Sequence, residues 1–115
     1  MLSNNSKSVD KSGVDIVLRQ DNATVCVYGR IDIDSSPAIR GRLLTLIEAP
    51  HTKIVSIDLS AVTHIDSSGL ATLIEALKIA RAHRTELRLE GLDDRLLRLF
   101  EFTGVLSLFD GSVRR

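Results

Sequence analysis

Apolar and polar residues along this chain follow two periods, and the switches between them outline its elements. Val14, Ile16 and Leu18 alternate with Asp15, Val17 and Arg19; Asp21 and Asn22 supply turn chemistry, and a second run from Thr24 to Tyr28 ends at Gly29. Strand side chains change face at every residue, so two such runs about a tight turn predict a β-hairpin. Ser35 or Ser36 followed by Pro37 marks a helix start, because a hydroxyl can satisfy free amide groups and proline loses nothing at the first helical position. Ile39, Leu43, Leu46 and Ile47 then recur at helical spacing until Pro50. Lys53 to Leu59 is a dense apolar stretch of strand length, expected as a central strand.

Ile65 to Gly69 breaks that pattern, and Leu70, Leu73, Ile74 and Leu77 form the apolar stripe of a helix reaching about His83. Leu87 and Leu89 alternate with Glu86, Arg88 and Glu90, a half-buried strand closed by Gly91. Asp93 or Asp94 caps a last helix carrying Leu96, Leu97, Leu99 and Phe100, which ends near Gly104; Val105 to Phe109 is expected to add a short edge strand. The order β-β-α-β-α-β-α predicts an α/β fold, a mixed four- to five-stranded sheet with about three to four helices packed against it. Residues 1–12 are polar and aperiodic, expected as a disordered arm ahead of a single domain over 13–115. In open sheets, ligands and partners meet the loops at the carboxyl ends of strands, which points to Ile65 through Leu70.

Composition narrows the function. The 115 residues carry 15 Lys plus Arg against 15 Asp plus Glu, so the basic excess of a nucleic-acid binder is missing. Tyr28, Phe100, Phe102 and Phe109 are the only aromatic residues, too few to stack a single strand. The lone Cys26, between Val25 and Val27, reads as a buried, inert thiol in a reducing compartment. No signal-peptide run and no stretch of about 20 apolar residues is present, so a cytoplasmic protein with no membrane insertion is expected.

No nucleophile elbow, phosphate-cradling glycine loop or zinc-helix motif occurs. His64, Asp66 and Ser67 are close neighbours in sequence, and such neighbours rarely form a relay. Neither catalysis, a metal nor a cofactor is expected. More informative is a near repeat: Ile33-Asp34-Ser35-Ser36 and Ile65-Asp66-Ser67-Ser68 are the same four residues, each opening a helix. N-capping accounts for both copies, and for the first completely. After the second copy comes Gly69 where the first has Pro37, and a glycine there permits close approach by another protein. A phosphoryl group on Ser67 would bring about −1.5 to −2 charges beside Asp66 and could block a docked partner.

The stretches VYGRIDIDSSP (27–37), IVSIDLSAVTHIDSSGLATLIEAL (54–77) and LDDRLLRLFEFTGVLSLF (92–109) resemble the STAS domains, and within them the bacterial anti-sigma factor antagonists. The resemblance implies a non-catalytic switch. The unphosphorylated domain would bind an anti-sigma factor that is also a serine kinase, phosphorylation of Ser67 would release it, and a PP2C-type phosphatase would reset it. By the same resemblance Asp66 flanks the acceptor, Gly69 and Leu70 belong to the kinase footprint, Asp32 matches an acidic residue in the loop after the second strand, and Ser68 is the capping candidate. Ala71 departs from the glycine often found there. The segment is also similar to the soluble STAS subunit of Mla-type phospholipid transporters, in which Ser67 would be a contact with an ATPase. Thr72, Ala76 and Ile79 make a second helix face, expected either as a lightly covered flank or as a docking surface for a partner helix, whereas Phe100, Phe102, Leu106, Leu108 and Phe109 are expected in the core.

Overall fold

A computed structural model describes residues 13–109 and 111–114, and of Arg19 only the backbone; the expected N-terminal arm lies outside the described residues. The hairpin is present as β1 (Val14–Arg19) and β2 (Asn22–Ile31), paired antiparallel. Its turn falls at Gln20 and Asp21, with Gln20 at φ 52°. After α1 (Ser36–Ile47) the chain enters β3 (Ile54–Ile65), crosses over through α2 (Ser67–Ala82) to β4 (Glu86–Glu90), and ends in α3 (Asp94–Thr103) and α4 (Val105–Phe109). The sheet order is β1-β2-β3-β4, with β2, β3 and β4 mutually parallel. Parallel neighbours need crossovers, and α1 and α2 supply them.

The inward positions Val25, Val27, Val55, Ile57, Leu87 and Leu89 are buried and join Ile39, Leu43, Leu73, Leu77 and Phe100 in one core. At about 25 cal/mol per Å² of apolar surface, this burial is the main term holding the helices on the sheet. Thr72 and Ala76, expected on a free helix face, are buried as well, because the helix that packs along α2 is α1 of the same chain. Arg40 on α1 grips Glu75 on α2 with two bonds of 2.7 and 2.8 Å across their outer edge.

The end of β3, the last helix and Cys26 depart from expectation. β3 runs to Ile65 rather than Leu59, because it carries two extra residues against β2: Cys26 and Tyr28 oppose Asp58 and Ala61, and Gly29 and Arg30 oppose Val62 and His64. Each bulge shifts the alternation by one, so the buried residues become Leu59, Val62 and Ile65 and a period-2 reading ends early. Val105–Phe109 is a helix, not an edge strand: Val105 and Phe109 are buried and Ser107 is exposed, an i, i+4 face. The outer edge of β4 instead receives Val113, with Arg114 N–H donating to Leu89 O at 2.7 Å. Cys26 lies on the sheet face away from the core and is only partly covered, because Val25 and Val27 take the inward positions. Burial, then Asp58, Asp15 and Glu90, push its thiol up, which keeps it protonated.

Phe102, expected in the core, is 90% exposed, and Leu108 is exposed as well, whereas Phe100 is fully buried. Truncating Phe100 to Ala should therefore cost about 3–5 kcal/mol, and Phe102→Ser should stay within about 0.5 kcal/mol of wild type. Urea unfolding of the two variants checks this, and comparable losses would mean that α3 is turned the other way.

Candidate functional site

The carboxyl ends of β2 and β3 lie side by side, with Ile31 opposite Ile65. One step further, Asp66 N–H donates to Ile31 O at 3.1 Å, so the two loops leaving these strands are tied where they begin. Asp66 is still extended, with φ −108° and ψ −172°, and its carboxylate accepts from Gly69 N–H at 3.1 Å. Asp66, not Ser68, is thus the N-cap of α2. Ser68 already lies inside the first turn of α2, past the cap position, whereas Asp66 is the last extended residue and its side-chain oxygen reaches over the free amides. Ser68 is half-buried, and its carbonyl accepts from Thr72 Oγ1 at 3.0 Å. Ser67, the first residue of α2, is exposed, and among the described residues its hydroxyl has no hydrogen-bond partner. Leu70 packs partly against the core.

Gly69 is buried. A Cβ at this position would stand 2.6 Å from Ile65 Cγ1 and 2.8 Å from both Ile31 Cγ2 and Ile31 O. The approach that this glycine permits is that of its own strands to the first turn of α2, which corrects the expectation of close contact by another protein.

The first copy of the repeat is built differently. Ser35 occupies the N-cap position of α1 but makes no side-chain cap bond, so capping does not explain it. Its hydroxyl donates to Arg30 O at 2.7 Å and accepts from Asp32 N–H at 3.0 Å. Asp32 Oδ1 accepts from Asp34 N–H at 3.0 Å and from Ser35 N–H at 3.1 Å, and Asp32 O accepts from Ser36 N–H at 2.8 Å. The backbone bond from Ser35 foremost, then that from Asp34 and the Arg30 guanidinium at 3.4 Å, hold the Asp32 carboxyl below its usual range. Sequence reasoning placed Asp32 at this face only by resemblance and assigned nothing to Ile33, which projects into solvent whereas its counterpart Ile65 is buried. On the far side of the site, Arg95 Nη1 at the start of α3 donates to Thr63 O at 2.9 Å and fixes that helix against the end of β3.

The STAS domain family model matches residues 13–114, and the chain belongs to that family. It is 33% identical over 101 residues to the anti-sigma-B factor antagonist of Bacillus subtilis, covering 88% of this chain and 91% of that one. Among solved structures, an anti-sigma factor antagonist from Mycobacterium paratuberculosis superposes with a TM-score of 0.75 at 22% identity, covering 88% of this chain and 83% of its own. The STAS domain of a SulP transporter from Vibrio cholerae gives a TM-score of 0.69 at 16% identity, covering 86% and 77%. These two share the fold. Among the described residues no helix is long and apolar enough to cross a membrane.

Two variants test the geometry. Gly69→Ala should destabilise by about 1–3 kcal/mol, since the methyl group meets backbone and branched side chains rather than flexible ends; wild-type stability would mean that α2 sits further from β2. For Asp32, a folded pKa below the unfolded one gives stabilisation that is complete above the unfolded pKa of about 3.9 and lost as pH falls through the folded value. Urea midpoints should accordingly show an advantage of wild type over Asp32→Asn at pH of about 7 that shrinks by about pH 2.5.

Proposed function

We propose that this chain is an anti-sigma factor antagonist that acts as a phospho-switch rather than as an enzyme. In the unphosphorylated state it binds an anti-sigma factor that is also a serine kinase, through Asp32, Asp66, Ser68 and Leu70 around Ser67, with Gly69 supporting the turn from behind. The observation that carries this reading is Ser67 itself: exposed, unbonded, and held at the first position of a helix whose cap is already made by its neighbour. The identity to an antagonist over most of both chains supports the same reading.

The chemistry is that of a substrate hydroxyl. Ser67 Oγ attacks the γ-phosphorus of ATP held by the kinase, ADP leaves, and the hydroxyl proton passes to a base of the kinase. The product does not disturb the fold, because a phosphate at a helix N-terminus lies near amide groups and the positive end of the helix dipole. It does disturb the complex. A docked kinase holds nucleotide phosphates against Ser67, so a phosphoserine of about −1.5 to −2 charges faces like charges in a dehydrated seam. The antagonist is released, and a PP2C-type phosphatase restores it, an exchange that belongs to the cytoplasm.

Intact mass and fragment mapping of the protein from its own cells should find phosphate on Ser67 that is absent from Ser67→Ala. In binding titrations with the kinase, Ser67→Ala should match wild type and Ser67→Asp should bind at least about tenfold more weakly. Absence of phosphate under every growth condition, with an Mla-type transporter ATPase co-purifying, would overturn the proposal in favour of an accessory subunit.

A further inference from the structure

Ile33 is 70% exposed at the tip of the loop between β2 and α1, although isoleucine is among the residues most often buried. Nothing about the loop is loose. Asp32 and Ser35 close it with backbone and side-chain bonds of 2.7 to 3.1 Å, so the chain on both sides of Ile33 is held while its side chain is kept out of the core. Its branched Cβ restricts χ1, so ordering it in a complex costs little conformational freedom. The loop is also in register with the phosphoacceptor, since the Asp66 to Ile31 hydrogen bond lies two residues before Ile33 and one before Ser67.

We propose that Ile33 is an apolar anchor of the docking surface, one that seats in a shallow apolar socket on the partner. The proposal rests on the reading of the chain as an antagonist of an anti-sigma factor. Charge defines the rim of that socket. Asp32 and Asp34 flank the anchor directly along the chain, and Asp66 opens the neighbouring loop; Arg30, 3.4 Å from Asp32, pairs with the first of them. A partner surface that is apolar at its centre and basic at its edge complements this arrangement, the common anatomy of an interface whose energy is concentrated in a few residues. The first copy of the I-D-S-S repeat thus serves binding, while the second serves modification: the same isoleucine is an anchor at 33 and a core residue at 65.

The test is titration of the unphosphorylated protein against the serine-kinase anti-sigma factor of the same organism, with thermal unfolding of each variant alongside. Ile33→Ala should bind at least about tenfold more weakly at an unchanged unfolding midpoint, and Ile33→Leu should stay within about threefold of wild type. Wild-type affinity of Ile33→Ala, in a preparation where Ser67→Asp fails to bind, would overturn the anchor and leave the switch standing. A loss of affinity matched by a loss of stability would also overturn it, because the side chain would then act through the fold. Failure of the wild-type protein to bind the kinase would remove the underlying reading, and the anchor with it.

Discussion

The site depends on how closely α2 starts against β2. Asp66 N–H reaches Ile31 O, and Gly69 lies so near the same carbonyl that a single methyl group would overlap it. Helix α2 therefore begins at the strand end with no slack, and Ser67 comes out at the surface with a defined orientation. Only the absence of a side chain makes this spacing possible, which is why glycine is required here for packing and not for an unusual φ. The Asp66 carboxylate completes the junction by taking the amide of Gly69, leaving the Ser67 hydroxyl uncommitted.

The two faces and two ends of the sheet divide the labour. Inward positions carry the aliphatic core and the helices, while the opposite face is mixed, with Cys26 beside Asp58, Asp15 and Glu90 and with Val17 exposed. The carboxyl end of the parallel strands gathers the loops of β2 and β3 and the start of α3, which Arg95 anchors on Thr63. Parallel strands place these ends side by side, and two bulges in β3 re-aim the residues beyond them. A sheet of the same fold serves a transporter domain as well as antagonists. The fold is therefore compatible with more than one role and does not by itself select a partner.

The two I-D-S-S segments show how far identical residues can diverge. In one, Asp66 caps a helix and leaves the serine free; in the other, Asp32, the residue before the segment, collects the amides and Ser35 is used up inside the loop. One isoleucine closes the core and the other stands in water. The difference stems from the position of each segment relative to its strand: Ile65 ends β3 and is still paired with Ile31 of β2, whereas Ile33 lies beyond the end of β2.

Much of this was legible in the chain itself. Alternation and helical spacing determined the hairpin, the crossovers, the central position of β3 and the order of elements, because local side-chain periodicity has to match the face that is buried. The motif around Ser67 and its place at a strand's carboxyl end were equally readable. Tertiary structure alone decided the rest. Bulges shift the period of β3, five residues at 105–109 fit a strand or a helix equally well until Phe109 finds the core, and Phe102 and Phe100 separate only when α3 acquires a buried side. Why Gly69 is glycine is set by its approach to Ile31 of β2, more than thirty residues away along the chain, and no local pattern encodes a distance of that kind.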